Sequence, residues 1–420
     1  MRPVTIKTVI LMSEKIYFHI DVNSAYLSWT ATERQKNGDP LDIRTIPSII
    51  GGDISKRRGV VLAKSIPAKK YGIVTGEPVV DAFKKCPTLK SYAPDHKLYA
   101  MYSQKLIQLL HQYSPEISQY SIDECFMVYV PITGIKTPEA AAQFIKDQIR
   151  DTLGFTVNVG ISTNKLLAKM ASDFKKPDLV HTLYPQEIQK KMWPLPVRDL
   201  FMVGRSSAAK LDLLGIKTIG DLARTDPHIL TAHLKSHGQT IWEYANGLEI
   251  SGIDTKSGDS KGIGNSTTIS YDIESKPEAH HILLELSESV SRRLRQAHSF
   301  AGMISVEIKY NTFETVSHQM QLLTPDNSTS AIQQTACRLF DELWNGGPIR
   351  LLGIRTAKLS ADDTQQLSLF DMQDQEKYRK LDHALDHIRQ KFGDSAIVRA
   401  SQLNTDASTI KVRPKFHPED

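Results

Sequence analysis

The sequence is poor in cysteine and has no long apolar run. Its three cysteines, Cys86, Cys125 and Cys337, lie far apart and lack the paired spacing of a metal site, so we expect free reduced thiols. No apolar run reaches about eighteen residues, and the fairly apolar stretch from Val4 to Met12 lacks the length and the cleavage site of a signal peptide. We therefore expect a cytoplasmic protein that makes no use of a membrane.

Composition and charge are those of an ordinary globular protein. The chain has 420 residues, of which 40% are apolar and 24% are charged, and it is long enough for about two to four domains. The net charge of +5 is compatible with nucleic acid but does not require it. Between Asp53 and Lys97, however, ten Lys or Arg residues stand against four Asp or Glu. A basic segment of this kind suits a polyphosphate substrate, although a solvated surface would also explain scattered lysines.

Two segments about a hundred residues apart carry acids at the ends of predicted strands. The first, Ile16 to Asp21, alternates apolar and polar residues, which is typical of a half-buried strand with Asp21 on its polar face. The second begins at Asp123 and Glu124 and continues as an apolar run. If these strands pair, three carboxylates crowd together and need a cation, and oxygen ligands favour magnesium or manganese. A solvated turn is the alternative explanation.

A helix is predicted from Asn164 to Lys176, because apolar residues recur there at helical spacing. We expect Thr163 to cap this helix and Pro177 to end it. Lys165 then lies in the first turn, where its ammonium group is free to point toward the acidic strand ends. An exposed helix lysine is the plain alternative.

Short helices joined by glycine turns are predicted from Trp193 to Leu248. Within this region Val203 to Leu211, followed by a Leu-Gly-Ile turn, is similar to a helix-hairpin-helix, which directs backbone amides toward a DNA phosphate without reading base sequence. Met202 stands where the fuller pattern has its first glycine, and a purely structural hairpin is the alternative. The residues that we place at the DNA are Gly204, Arg205, Ser206 and Lys210.

The last third of the chain is predicted to contain a tether and a small α/β domain. Residues 249–261 are rich in Gly, Ser, Asp and Lys, and the order strand, helix, strand, strand, helix, strand follows up to Leu359. Residues 262–360 contain nine Lys or Arg and ten Asp or Glu, so a basic face there requires patterning. Arg292, Arg293 and Arg295 on one helix are an example of such patterning.

Three motifs, taken in order, resemble one family of enzymes. They are Asp21-Val22-Asn23-Ser24-Ala25-Tyr26, Ser121-Ile122-Asp123-Glu124, and the segment from Gly160 to Lys169. Together they resemble the Y-family of translesion DNA polymerases, which includes the bacterial DinB and UmuC proteins. The resemblance covers about residues 14 to 370 and implies an α+β multidomain fold with the right-hand architecture of a polymerase.

The resemblance implies a domain organisation along the chain. Residues 1–13 are an N-terminal extension, residues 14–23 and 93–181 form the catalytic palm, and residues 24–92 form small fingers. A helical thumb with the hairpin follows at residues 182–248. The remaining parts are a linker at 249–261, an α/β little finger at 262–360, and a C-terminal tail at 361–420.

The resemblance also implies roles for the acidic residues and their neighbours. Asp21 and Asp123 would bridge two Mg²⁺ ions, with Mn²⁺ as an alternative, and Glu124 would complete the site at the primer end. The carbonyl of Val22 is implied as a further ligand. Tyr26 matches the steric gate, whose ring excludes a ribose 2′-hydroxyl.

Three lysines, Lys69, Lys70 and Lys165, are the implied contacts of the dNTP triphosphate. DinB-like relatives carry a Thr, Tyr and Arg set on the fingers where this chain has Ala63, Ile66 and Lys69. That departure suits the UmuC side of the family better, and it leaves the phosphate contacts less defined than the metal ligands.

One apolar pentapeptide, Gln366-Leu367-Ser368-Leu369-Phe370, stands in an otherwise polar tail. It resembles the sliding-clamp-binding motif of bacterial polymerases, in which Gln366 bonds at a pocket rim while Leu367, Leu369 and Phe370 supply the apolar contacts. Docking onto the chain's own last domain is the alternative. A terminal helix of unknown role is predicted over residues 372–391, and the sequence leaves open whether an accessory subunit is needed, as for some UmuC-like proteins.

These features together predict an error-prone, template-directed DNA polymerase that uses dNTPs to extend a primer on template DNA past lesions. A catalytically silent DNA- and clamp-binding regulator of replication is the runner-up, but a binding module has no need of three mutually repelling carboxylates. A nucleotidyl cyclase shares the two-metal chemistry and leaves the hairpin and the clamp-like peptide unexplained.

Overall fold

The computed structural model describes residues 15–53, 59–249, 261–361, 372–393 and 396–397. Two compact units make up this part of the chain, one from residues 15–52 and 60–249 and the other from residues 261–361 with 372–393. Both units combine helices with mainly antiparallel sheet, so the α+β multidomain prediction is confirmed. Among the described helices, none has the length and apolar character needed to cross a bilayer.

The first unit is built on a five-stranded sheet with the order β5-β6-β1-β7-β8. Its strands are β1 Tyr17–Val22, β5 Ile117–Gln119, β6 Glu124–Val128, β7 Val157–Ser162 and β8 Val180–Thr182. The central strand β1 pairs antiparallel with β6 on one side and with β7 on the other. Asp21 lies opposite Glu124 in this register, so the predicted pairing of the two acidic segments is confirmed.

Helices cover both faces of this sheet. The helices α1 Ala25–Lys36, α4 His96–Leu110 and α5 Pro138–Leu153 share a core with one face, which presents Phe18 and Ile20. Helix α6, Lys165–Ser172, contacts β1 and β7 on the side of His19. The polar side of β1 is therefore buried and not half-solvated, since His19 is 0% exposed and Asp21 is 7% exposed.

Glycine permits the close approach of α6 to the sheet. A Cβ atom at Gly160 on β7 would lie 1.9 Å from the backbone oxygen of Ala168, which no side chain tolerates. The helix also differs from its prediction at both ends. Asn164, and not Thr163, caps it by accepting from the Leu167 amide, and the helix ends at Ser172, several residues before Pro177.

The basic segment after α1 folds as a small three-stranded sheet with two short helices. The strands are β2 Ser48–Gly51, β3 Val61–Lys64 and β4 Lys90–Tyr92, and the helices are α2 Ile66–Lys70 and α3 Val79–Lys85. The strand order is β3-β2-β4, and a separate small apolar core lies beneath. This small sheet with its two helices lies between the two acidic segments in sequence, within the residues predicted as fingers.

Five helices follow the sheet within the same unit. They are α7 Ile188–Lys191, α8 Arg205–Leu213, α9 Ile219–Arg224, α10 Pro227–Leu234 and α11 Ser236–Ala245. Their apolar side chains form one core with Leu166, Leu167 and Met170 of α6. Helix α6 therefore connects the acidic sheet to the region predicted as the thumb.

The second unit has the element order that the sequence predicted. It contains β9 Gly264–Ile273, α12 Lys276–Gln296, β10 Phe300–Tyr310, β11 Thr315–Asp326, α13 Thr329–Leu343 and β12 Ile349–Ser360. The sheet order is β11-β10-β12-β9, with every pairing antiparallel. The predicted terminal helix is also present, as α14 Met372–Phe392.

Two of the three arginines named on α12 make contacts within the second unit. Arg295 is only 9% exposed, because its guanidinium binds Asp386 at 2.6 Å and Asp382 at 3.2 Å on α14. Arg293 donates to the backbone oxygen of Gly264 at 2.9 Å. These arginines therefore hold the second unit together, which charge spacing along a single helix does not reveal.

Candidate active site

The acidic residues meet where β1 ends and β6 begins. Asp21 is the fifth residue of β1 and stands opposite Glu124, the first residue of β6. Asp123 immediately precedes β6, and its backbone oxygen accepts from the Val22 amide at 3.0 Å. Strand pairing thus brings the segment of Asp21 and Val22 against that of Asp123 and Glu124, as the sequence predicted.

Asp21 is buried and is paired with a lysine that the sequence did not single out. The Nζ atom of Lys176 lies 2.9 Å from Asp21 Oδ2 and 2.9 Å from Asp173 Oδ1. Burial raises the pKa of Asp21 to about 7, and the charge of Glu124 adds to the rise while Lys176 opposes it. The charge of Lys176 therefore does not offset the cost of burying the ionised carboxylate of Asp21.

Glu124 has two partners on the same oxygen. Lys169 Nζ lies 2.7 Å from Oε2, and His19 Nε2 lies 3.4 Å from it. Burial alone would raise the pKa of Glu124, but the contacts with His19 and Lys169 outweigh it and lower the pKa to about 2. Ser172 Oγ fixes the other side of the His19 ring, at 2.8 Å from Nδ1. Glu124 is therefore held ionised and oriented.

Asp123 is oriented by its own turn. Ser121 Oγ donates to Asp123 Oδ1 at 2.7 Å. Burial raises the pKa of Asp123, and the charge of Glu124 adds to this effect. A positive charge nearby would therefore stabilise the ionised forms of Asp21 and Asp123.

The donor set fits a hard divalent cation, although the carboxylates are not gathered into a ready cage. In the described parts of the chain, no three His, Cys, Asp or Glu side chains lie close enough together to hold a metal ion. Ammonium groups of Lys176 and Lys169 contact Asp21 and Glu124 instead. The ligands offered are all oxygen atoms, and the pKa values of buried Asp21 and half-buried Asp123 are raised. Magnesium or manganese suits both features.

A cavity of about 450 Å³ opens beside the acids. One wall carries Asp21, Asp123 and Lys176, and the opposite wall is formed by β3, α2 and the loop that follows. The second wall contributes Lys64 and Lys69 to the lining. Both acids lie on the first wall, beside Lys176, and the second wall carries lysines without acids among its lining residues, so charge differs across the cavity.

Tyr26 lines the same cavity, and other aromatic rings hold its position. Its ring stacks on Tyr99 with a centroid distance of 4.5 Å and an interplanar angle of 16°. Trp29 and His96 approach it at 6.2 and 6.3 Å. Aromatic packing therefore holds the Tyr26 ring in place in the cavity lining.

The predicted lysines do not all reach this cavity. Lys69 lines it, whereas Lys70, exposed at the end of α2, and Lys165 are not among its described lining residues. Lys165 Nζ lies 5.7 Å from the centroid of the Phe126 ring. Lys176 was not selected from the sequence, because it was taken as the last residue of the predicted helix. Its position just before Pro177 could have indicated that it lies beyond the helix.

The hairpin residues lie exposed in the helical region. Gly204 is the N-cap of α8, and Arg205, Ser206 and Lys210 are exposed on that helix. Met202 has a φ of 71°, in the left-handed region that favours glycine. The missing hairpin glycine is thus replaced by a residue that keeps the glycine-like turn. The pentapeptide Gln366-Leu367-Ser368-Leu369-Phe370 and residues 1–13 lie outside the described residues.

Comparison with known proteins decides the family. Family models match at residues 20–173 (impB/mucB/samB family), 185–216 (IMS family HHH motif) and 260–369 (impB/mucB/samB family C-terminal domain). The DNA polymerase IV of Clostridium acetobutylicum is 50% identical over 390 residues, which cover 93% of this chain and 98% of that protein. This chain belongs to the impB/mucB/samB family, the Y-family of DNA polymerases.

Other members of the Y-family agree with this assignment. DNA polymerase IV 2 of Bacillus subtilis is 36% identical, over 94% of this chain and 96% of that protein. A solved Y-family DNA polymerase chimera superimposes with a TM-score of 0.69 at 19% identity, covering 82% of this chain and 99% of the chimera, which shows the shared fold. The DinB/UmuC-like placement is confirmed, while the finer preference for the UmuC side stays a prediction.

The stability of the metal-free Y-family chain should depend on the ionisation of Asp21. Since the folded pKa is raised from 3.8 to about 7, the wild type loses stability as pH rises through this interval. The Asp21→Asn variant has no such loss, so its stability relative to the wild type should rise between pH 4 and 7, by up to about 4 kcal/mol, and then level off. Urea unfolding in EDTA at several pH values measures this difference.

The control for this prediction is Asp81→Asn, which alters an exposed carboxylate on α3. Added Mg²⁺ should stabilise the wild type and leave Asp21→Asn nearly unchanged. A stability difference between Asp21→Asn and the wild type that is the same at pH 5 and pH 8 would contradict the assigned burial of the charge.

Proposed function

We infer that the acidic edge of β1 and β6 is the catalytic centre of an error-prone, template-directed DNA polymerase that acts in translesion synthesis. The chain is a DNA-directed DNA polymerase of the Y-family, whose substrates are primer-template DNA and dNTPs. The observation that carries the site assignment is the register that sets Asp21 opposite Glu124 beside a polar cavity. A silent regulator is not favoured, because it would have no use for this arrangement.

Y-family polymerases in general depend on divalent cations. We propose that Asp21, Asp123 and Glu124, with the carbonyl of Val22, hold two Mg²⁺ ions or Mn²⁺ in their place. When bound, such ions lower the pKa of the primer 3′-hydroxyl and neutralise charge on the phosphates. The chain's own contribution is to keep the three carboxylates oriented: Ser121 holds Asp123, and Lys169 holds Glu124.

The lysines of the cavity are proposed to bind the triphosphate. Lys69 lines the wall formed by β3, α2 and the loop that follows, which we call the finger wall because it lies in the predicted fingers. Lys176 lines the opposite wall while it contacts Asp21. An ammonium at Asp21 is well placed to exchange its carboxylate partner for a phosphate when nucleotide enters. Lys70 and Lys165 remain predicted contacts that the geometry of the cavity does not favour.

Two further regions are proposed to hold DNA. The exposed start of α8, with Gly204, Arg205, Ser206 and Lys210, offers amides and cations to a phosphate. In the second unit, α12 and α13 pack with the sheet through residues such as Val306 and Ile308. The opposite face is polar and carries Ser305, Gln319 and Arg355, among others, which suits contact with a DNA backbone regardless of sequence.

Partners other than DNA and dNTP stay proposals. Gln366, Leu367, Leu369 and Phe370 are proposed to bind a sliding clamp, on the sequence pattern alone. Primer extension by the purified chain alone tests whether an accessory subunit is needed, as it is for some UmuC-like proteins.

Primer extension tests the site directly. With Mg²⁺ and dNTPs, the full chain should give short products on undamaged and abasic templates, and Asp123→Ala should lower the rate at least about a hundredfold, because a positioned ligand of the proposed ions is lost. Asp81→Ala, which removes an exposed carboxylate from α3, is the matched control. Equal rates for Asp123→Ala and the wild type would remove the site assignment, and a wild type that binds DNA without extending primers would favour the silent regulator.

Sugar selection tests the role of Tyr26. The Tyr26→Ala variant opens the edge of the cavity where the ring now stacks on Tyr99, so ribonucleotide incorporation relative to deoxyribonucleotide should rise at least about tenfold. The ratio of kcat/KM for the two sugars measures the effect. Tyr71→Ala, at a tyrosine 49% exposed, should keep the wild-type ratio. An unchanged ratio in Tyr26→Ala would assign the gate elsewhere.

A further inference from the structure

We propose that Lys64 is a phosphate-binding residue of the nucleotide site, and that it supplies charge to the triphosphate from the finger wall. This inference rests on the proposed function of the cavity as the dNTP site. Lys64 was not among the residues that sequence analysis selected. It matters because Ala63 and Ile66 of this wall have no polar side-chain atom with which to hold a phosphate.

The local fold directs Lys64 into the cavity. Lys64 is the last residue of β3, and Ser65, the next residue, caps α2 by accepting from the Ala68 amide at 3.1 Å. Strand and helix therefore meet at one sharp corner, which places Lys64 and Lys69 on the same wall. Lys64 is half-buried there, and its Nζ lies 3.4 Å from Thr75 Oγ1, a neutral partner that also lines the cavity.

The electrostatic surroundings of Lys64 favour an anion. Burial lowers the pKa of Lys64, and the positive charge of Lys69 lowers it further. The carboxylate that acts on Lys64 from nearby is that of Glu77, whose Oε2 is bound by Lys85. Two ammonium groups that repel each other across a partly buried wall are stabilised when a polyanion binds between them.

The distribution of charged residues over the two walls indicates the class of ligand. Asp21 and Asp123 stand on the opposite wall of the cavity, where a divalent cation suits them. A ligand that satisfies both walls carries several negative charges and brings cations with it. A nucleoside triphosphate complexed with Mg²⁺ has this chemistry, and a nucleoside or an isolated base does not.

The finger wall of this chain also explains why an extra lysine is useful. Ala63, Ile66 and Lys69 of this wall supply one ammonium group and no hydroxyl group between them. Lys64 adds a second cation to the same wall. Lysine binds phosphate as a point charge, so this wall should hold the triphosphate through charge and less through directed hydrogen bonds.

Nucleotide binding to the full chain tests this proposal. The protein is bound to a primer-template and titrated calorimetrically with dATP and MgCl₂. The primer ends in a dideoxynucleotide, so no bond can form, and the next template base is T, which pairs with the incoming dATP. The Lys64→Met variant keeps the length of the side chain and removes its charge, and we expect it to raise the Kd for dATP about tenfold. The Lys64→Arg variant should stay within about threefold of the wild type.

Salt dependence separates charge from shape. Because the proposed contact is electrostatic, raising KCl should weaken dATP binding more steeply for the wild type and Lys64→Arg than for Lys64→Met. Lys84→Met is the matched control, at an exposed finger lysine paired with Asp81, and should keep the wild-type Kd. All variants should bind the primer-template equally, which shows that the fold is kept.

The outcomes distinguish this proposal from the function on which it rests. A Kd for Lys64→Met within twofold of the wild type, or salt slopes that do not differ, would overturn the role of Lys64 while primer extension by the wild type continues. A wild-type chain that binds dATP no better than Lys64→Met also overturns it. Failure of the wild type to extend a normal primer would instead overturn the proposed function.

Discussion

The antiparallel pairing of β1 with β6 sets Asp21 opposite Glu124, and the rest of the site depends on this contact. Carboxylates buried side by side repel each other and lose water, so the protein must bring positive charge to them. Lys176 contacts Asp21 at 2.9 Å, and Lys169 contacts Glu124 at 2.7 Å. The compensation is uneven, because the pKa of Asp21 is raised to about 7 while that of Glu124 is lowered to about 2. Asp21 therefore needs more positive charge than Lys176 supplies, and a bound cation would provide it.

A single segment supplies both the cations and the packing. Helix α6 carries Lys169, and Lys176 follows shortly after the helix ends. This helix lies close on the sheet only because Gly160 has no side chain to meet the backbone of Ala168. Its apolar side also belongs to the core of the following helices, so it connects the acidic strands with the region that bears the hairpin. The finger wall completes the cavity with opposite charge, through Lys64 and Lys69.

Local patterns in the sequence predicted much of this arrangement. Period-2 alternation and an acidic pair located β1 and β6, and helical spacing located α12, α13 and α14, because these features depend on neighbours along the chain. The partners of the acids were not predictable in the same way. Lys176 and Lys169 reach Asp21 and Glu124 through packing between residues far apart in sequence, as does Arg295, which turns inward to α14. Lys165 was chosen for its position in the first turn, and its Nζ lies 5.7 Å from the centroid of the Phe126 ring on β6.

In the proposed site, Lys176 leaves Asp21 and contacts a phosphate when the nucleotide enters. The most direct measurement is a crystal structure of the chain with primer-template DNA, Mg²⁺ and a dNTP analogue that cannot react. We expect Lys176 Nζ to leave Asp21 Oδ2, now 2.9 Å away, and to contact a phosphate oxygen, while the carboxylates of Asp21 and Asp123 bind a cation. A nucleotide bound with the contact between Lys176 and Asp21 intact, and with no cation at these carboxylates, would contradict it.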